Sequence, residues 1–132
     1  MIKITFFLLF FIWSSLIGAT DAILYSKTAS DAFKWNEHIV FTFQRMSVAL
    51  LVLTGFFLED LTQLIGVFIS CVFCFSWFHN GVYYETRRRI DVPSYNFFSS
   101  SSTSTSVIEL SFIRRTALLI IGILIAILSW VI

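Results

Sequence analysis

Charged residues and proline are both scarce in this chain of 132 residues. Only 13% of the residues are charged, and Pro93 is the single proline. A soluble domain carries about 25% charged and about 45–50% apolar residues, whereas this chain is 58% hydrophobic. So few polar side chains cannot cover the surface of a soluble globule. The composition therefore predicts a membrane protein.

Cysteine is nearly absent too, because Cys71 and Cys74 are the complete set and both fall inside an apolar segment. A disulfide-stabilised secreted scaffold needs more cysteines than this, and a zinc site built from thiolates alone needs four. The formal net charge of +1 gives no indication of nucleic-acid binding, and we expect no nucleic-acid partner.

What the chain has in abundance is long apolar segments. A helix needs about 20 residues to cross about 30 Å of hydrocarbon, and four segments reach or approach that length. They cover residues 4–24, 39–58, 61–78 and 113–132. The first resembles a signal peptide, but Ile17 stands where a cleavage site requires a small residue, so we interpret it as a retained helix. The prediction is an all-α, polytopic integral membrane protein with four transmembrane helices, forming one domain over residues 1–132.

The third and fourth helices are expected to extend beyond the membrane. No proline interrupts the third helix before Pro93, which predicts a helix of roughly 30 residues. The serine- and threonine-rich residues 94–106 predict a flexible linker. Ser106 and Glu109 then match a capping box, which predicts that the fourth helix begins near Val107, outside the membrane.

Basic residues concentrate on one side of this arrangement. Four crossings place both termini on the same side, and the opposite loops carry Lys27, Lys34, Arg87, Arg88, Arg89, Arg114 and Arg115. Lysine and arginine mark the cytoplasmic side of a membrane protein. We therefore expect the arginine-rich loops to be cytoplasmic, or on the equivalent inner side of an organelle, and both termini to lie outside.

The five arginines of these loops have two interpretations. They set the topology alone, or they also bind anionic lipid headgroups or an acidic partner.

Small residues recur at a spacing of four on three helices. Helices in a membrane associate through such close-packing faces, so we expect these faces to point into the bundle. The alternative is that one of them mediates self-association. The residues are Gly18, Ala22, Gly66, Ser70, Gly122 and Ala126.

One arginine falls within an apolar segment. Arg45 shares a face of the second helix with His38 and Thr42. An ionisable group inside a membrane needs a partner, and Asp21, near the inner end of the first helix, is the carboxylate predicted to pair with Arg45. We favour a structural pair, or snorkelling of Arg45 to the interface. The alternative is a charge that lines a path for an ion, a proton or a substrate.

The sequence CVFC, residues 71–74, together with four helices, resembles the membrane thiol oxidoreductases that pass electrons to quinones. Those enzymes keep the reactive pair near a helix end and use a second cysteine pair. Here the pair lies about 15 Å into the third helix by helical rise, and the sequence has no second pair. We interpret Cys71 and Cys74 as buried structural thiols.

Metal-ligating residue types gather at the inner interface without forming a ligand pair on one helix. His38, His79 and Glu37 are the closest approach to a metal site. We therefore predict no metal and no cofactor.

The leading functional prediction is a small non-catalytic subunit or scaffold of a homo- or hetero-oligomeric membrane complex, with the arginine-rich face binding lipid or a partner. The alternative is a small oligomeric channel, transporter unit or holin-like pore. A quinone-linked thiol oxidoreductase is the third interpretation.

Overall fold

Helices account for the regular structure in a computed structural model of the chain. The structure describes residues 2–26, 43–44, 46–51, 61–100 and 110–131. Within them lie three long helices, α1 (Ile2–Leu24), α2 (Leu61–Ile90) and α3 (Phe112–Val131). Residues 43–44 and 46–51 are helical too, and these ranges contain no strand. The predicted all-helical class is confirmed.

Three helices are long and apolar enough to cross a membrane, consistent with a multi-pass membrane protein. The candidate spans are Ile4–Leu24, Ile65–Ile90 and Phe112–Val131. The second predicted span, residues 39–58, is described only at its helical residues 43–44 and 46–51. Its crossing therefore stays a prediction. Leu51 belongs to the buried cluster that contains Phe7, Phe10 and Val67.

The predicted length of the helix before Pro93 is confirmed, because α2 has 30 residues and ends at Ile90. The backbone N–H groups of Asp91 and Val92 both donate to the carbonyl of Arg87, at 3.0 and 2.9 Å. Pro93 has no N–H and restricts the residue before it, so the helix cannot continue.

The predicted start of the last helix near Val107 is wrong, because Leu110 and Ser111 are not helical and α3 begins at Phe112. Ser111 is the cap: its carbonyl accepts from the N–H of Arg115 at 3.0 Å, and its hydroxyl accepts from the N–H of Arg114 at 3.4 Å. A serine directly before an apolar helix is a sufficient start signal. The capping-box pattern at residues 106–109 lies outside the described residues.

The central helix is α2, which packs against both α1 and α3. The ring of Phe10 lies 6.4 Å from that of Phe75, and further along both helices Asp21 contacts His79, so α1 and α2 run parallel. By contrast α3 is antiparallel to α2, because Ser70 contacts Gly122 and Tyr84 contacts Arg115.

The loop after α2 packs onto the bundle where the composition predicts a flexible linker. The Phe97 ring lies 4.8 Å from that of Trp77, and the Tyr95 ring lies 5.3 Å from that of Tyr84. Aromatic side chains precede the serine run and anchor residues 94–100. Residues 101–106 of the predicted linker lie outside the described residues.

Candidate functional site

Five arginines lie at the end of the bundle formed by the C-terminus of α2 and the start of α3. We call this region the basic end. Two carboxylates pair with arginines of α2: Glu85 lies on the helix and Asp91 directly follows it. Among the described residues, the five arginines thus outnumber the two carboxylates that form ion pairs with them. Its arginines are Arg87, Arg88, Arg89, Arg114 and Arg115.

The last turns of α2 hold three of these arginines by ion pairs three or four residues apart. Arg87 binds Asp91 through two contacts of 2.7 Å, from Nε and Nη2 to the two carboxylate oxygens, and its Nη1 donates to the Tyr83 hydroxyl at 3.1 Å. Glu85 accepts from both Arg88 and Arg89. One carboxylate shared by two guanidinium groups leaves positive charge at the surface.

Arg115 differs from its neighbours because its side chain is completely buried. Nη2 donates to the carbonyls of Phe97 at 3.2 Å and Ser99 at 2.8 Å. The guanidinium carbon lies 5.6 Å from the centre of the Tyr84 ring and 5.7 Å from that of Phe112, so cation–π contacts also hold it. Nε and Nη1 are buried without a hydrogen-bond partner in the part of the chain that the structure describes.

The α2 surface under Arg115 is shaped to receive the loop. A Cβ atom at Gly81 would overlap the ring of Phe97, so glycine at this position lets the ring lie directly on the helix. The contact of the Phe97 ring with Gly81 also positions the Phe97 carbonyl, which accepts a hydrogen bond from Arg115. The ring of Trp77 flanks Phe97, and its indole N–H is also buried without a partner among the described residues.

A second polar contact lies about one turn deeper in the bundle and joins α1 to α2. His79 Nε2 lies 3.0 Å from Asp21 Oδ2, and His79 Nδ1 lies 2.8 Å from Asn80 Oδ1. The His79 ring also stacks on Phe75 at 4.9 Å. A Cβ atom at Gly18 would overlap the backbone oxygen of His79. The helices therefore approach closely just where the ionisable groups meet.

The carboxylate predicted to bind Arg45 thus contacts His79. Arg45, His38 and Thr42 lie outside the described residues, so the Asp21–Arg45 pair stays a prediction. Two of the three residues considered as metal ligands, His38 and Glu37, also lie outside the described residues. Residues 2–26, 43–44, 46–51, 61–100 and 110–131 contain no group of three or more His, Cys, Asp or Glu side chains suited to a metal ion.

The small residues lie at the contacts between helices. Ser70 donates to the carbonyl of Gly122 at 2.6 Å, and Ala22 is fully buried. A Cβ atom at Gly122 would lie 2.6 Å from the sulfur of Cys74, and one at Gly66 would lie 2.5 Å from the Cβ of Ser129. Ala126 is buried on the same face of α3 as Gly122.

Both thiols are free and buried. Cys71 belongs to the apolar cluster that also contains Phe10 and Val67, and the sulfur of Cys74 lies 3.9 Å from the carbonyl oxygen of Leu119. Thiols in these positions fill space between helices, and an exchange partner has no access to them.

An apolar cleft of about 250 Å³ opens between α1 and α3 at the end opposite the basic end. Phe7, Ile123 and Trp130 are among its lining side chains, and the rings of Phe7 and Trp130 lie 5.8 Å apart. The cleft is lined almost entirely by hydrocarbon, which does not solvate an ion.

The burial of Arg115 was not predicted from the sequence, although a signal for it exists. Arg115 precedes Gly122 by seven residues and Ala126 by eleven, so it lies on the small-residue face of α3. This position on the helix would have distinguished Arg115 from Arg114, which is adjacent in sequence and therefore points to a different face. The Asp21–His79 contact has no comparable signal, because it depends on how α1 and α2 are aligned.

Comparison with protein-family models, with curated proteins and with solved structures finds no match to this chain.

Proposed function

We propose that this chain is a small non-catalytic integral membrane protein, a subunit or scaffold of a larger membrane complex, whose basic end contacts anionic lipid or an acidic partner. The observation that carries the proposal is the surplus of arginine over carboxylate among the described residues at one end of a largely apolar bundle. Each basic side chain close to an anionic membrane surface contributes about 1 kcal/mol to attraction.

The proposal includes a fourth crossing, made by residues 39–58. Because α1 and α2 are parallel, the chain must return from the level of Asp21 to the start of α2. The rise from Leu61 to His79, which lies level with Asp21, is about 27 Å, close to the thickness of the hydrocarbon core. The apolar residues 39–58, which lie between α1 and α2 in the sequence, are long enough as a helix to span that distance.

The same geometry supports the proposed orientation. The last turns of α1 and α2 and the first turn of α3 lie towards the basic end, where α2 and α3 carry the five arginines, whereas the start of α1 and the end of α3 lie together at the opposite end. The positive-inside rule then puts the basic end in the cytoplasm, or on the inner side of an organelle, and both termini outside.

Assembly with other chains is supported by how little of each span the bundle covers. Only 17% of the most apolar window of α3 is buried, and large side chains exposed on the three helices, such as Ile12, Phe68 and Leu128, are apolar. The outward surface is thus apolar and uniform, as suits contact with lipid or with neighbouring helices.

The decisive experiment is isolation of the tagged chain from its native membrane in a mild detergent, with measurement of particle mass and of copurifying proteins. We expect a particle larger than one 15.2 kDa chain, either a homo-oligomer or a hetero-complex. Replacement of Arg88 and Arg89 by glutamine should weaken association of the particle with anionic vesicles and leave its association with zwitterionic vesicles unchanged. A monomer with no partner and no preference for anionic vesicles would contradict the proposal.

Permeation is the alternative that one observation favours, namely an ionisable contact within the apolar part of the bundle. Asp21 and His79 are the types of residue that form proton relays in membranes. Proton and cation flux into liposomes that contain the purified chain tests this alternative. Flux that Asp21→Asn abolishes, with particle mass unchanged, would favour a pore over a scaffold.

A further inference from the structure

The buried guanidinium of Arg115 has more hydrogen-bond donors than the protein satisfies. Nη2 binds the carbonyls of Phe97 and Ser99, while Nε and Nη1 have no partner in the described ranges. Unpaired buried donors are rare in folded proteins, and a buried charge without a counter-charge is destabilising. The arrangement therefore indicates that an anion or water completes the site.

The position of Arg115 favours an anion. It lies three residues, or about 5 Å, from the start of α3, at the level where the apolar span ends. Lipid phosphate groups lie at this level in a bilayer, and basic pockets between transmembrane helices on the cytoplasmic side bind anionic headgroups. The surrounding arginines add positive charge, and no carboxylate among the described residues contacts Arg115.

We propose that Arg115 and the loop that covers it form a specific binding site for one phosphate group of an anionic phospholipid. Oxygens of the phosphate accept hydrogen bonds from the N–H groups at Nε and Nη1, while the Tyr84 and Phe112 rings keep the guanidinium in place. The inference rests on the proposed function, because it needs the basic end to lie at a lipid surface. It goes further by assigning the contact to one residue and one ligand group.

The site is enclosed, so a side chain of the loop must move to admit the phosphate. The side chain best placed to move is Phe98, which is 61% exposed and whose ring lies 4.9 Å from that of Phe112. Its rotation breaks no helix and leaves the two carbonyl contacts of Arg115 intact.

The test measures lipid binding to the purified full chain by native mass spectrometry, with phosphatidylglycerol and phosphatidylcholine titrated separately. The variant Arg115→Met removes the guanidinium and keeps an apolar stem, and Arg114→Met removes the neighbouring charge as a matched control. We expect Arg115→Met to reduce the affinity for phosphatidylglycerol about tenfold or more, since a charge-assisted hydrogen-bonded contact is lost. Arg114→Met should lower the affinity by about fivefold or less, because one basic side chain near an anionic surface contributes about 1 kcal/mol.

A competition arm identifies the source of the phosphate. Millimolar inorganic phosphate should leave bound phosphatidylglycerol in place, because the acyl chains hold the lipid at the site. Complete displacement by inorganic phosphate would overturn the assignment to a lipid. Circular dichroism in phosphatidylcholine should show unchanged helicity for both variants.

If Arg115→Met does not fold, Arg115→Lys tests the same site, because it keeps the charge and loses the guanidinium geometry. It should also lower the affinity for phosphatidylglycerol. Equal losses in the Arg114 and Arg115 variants would mean diffuse attraction, which overturns this inference and leaves the proposed function standing. A wild-type chain that does not prefer phosphatidylglycerol to phosphatidylcholine would overturn the lipid-binding part of both.

Discussion

At Gly18 and Gly122, one added methyl group would meet backbone atoms of a neighbouring helix. At Gly18 the methyl group would overlap the backbone oxygen of His79, and at Gly122 it would lie 2.9 Å from the backbone oxygen of Ser70. Backbone atoms cannot rotate away as a side chain does, so the helices themselves must separate. Close packing of this kind replaces the hydrophobic effect as the force that holds helices together in lipid.

Gly18→Ala should lower the free energy of unfolding by about 1–3 kcal/mol, the usual range for overpacking. The measurement is equilibrium unfolding in mixed micelles, followed by circular dichroism. Ile12→Val is the matched control, because Ile12 is 55% exposed and its loss of one methylene should change stability by less than about 0.5 kcal/mol. Equal stability of the Gly18→Ala variant and the wild type would contradict the close approach of α1 and α2.

Asp21 and His79 should be energetically coupled, because their side chains meet at 3.0 Å between two helices. A double-mutant cycle with Asp21→Asn and His79→Gln should give a coupling energy near 0.6 kcal/mol and below about 1.7 kcal/mol, as polar contacts in membranes do. A parallel cycle of Asp21→Asn with Arg45→Met tests the pair predicted from the sequence. Strict additivity with His79 and coupling with Arg45 would mean that Asp21 pairs with the second span.

At the scale of elements, α2 organises the molecule because it makes a close contact at a small residue with each of the other two helices. Towards α1 it offers the backbone at His79, and towards α3 it offers Ser70, whose hydroxyl donates to the Gly122 carbonyl at 2.6 Å. The second contact is an interhelical hydrogen bond at a completely buried position. The alignment of α2 with α3 therefore depends on Ser70 more than on any exposed residue of the pair.

Ser70→Ala should lower stability by about 0.5–1.5 kcal/mol, the net contribution of one hydrogen bond. Thr116→Ala is the control within the same helix pair, since the Thr116 hydroxyl donates to the Phe112 carbonyl of its own helix. Unfolding of both variants in the same micelles provides the comparison. An effect of Thr116→Ala as large as that of Ser70→Ala would show that the interhelical bond is not the cause.

At the scale of the whole molecule, the helices define two ends with different chemistry. One end carries the arginines and the packed loop after α2. The other is apolar, with Phe7 against Trp130. Because α1 and α2 are parallel and α3 is antiparallel, the end of α1 and the loop after α2 lie at the same end of the bundle.

Single cysteines introduced at Tyr25 and Phe98 should therefore react with a membrane-impermeant maleimide from the same side of sealed vesicles. Both positions are more than 60% exposed. A cysteine at Val131, which is 80% exposed, should react only from the opposite side. The native thiols provide a low background because both are buried. Labelling of the Tyr25 and Phe98 positions from opposite sides would contradict the parallel arrangement.

The sequence alone determined that this is an all-helical protein with apolar spans, and where α2 ends. Lipid imposes a run of about 20 apolar residues on each crossing, and Pro93 lacks the N–H that a longer helix would need, so both features are local. Tertiary structure decided that Asp21 meets His79, that residues 94–100 pack onto α2, and that Arg115 is buried while Arg88 and Arg89 pair with Glu85 at the surface. Each of these depends on the rotation and axial alignment of one helix against another, which side-chain contacts distant in the sequence establish.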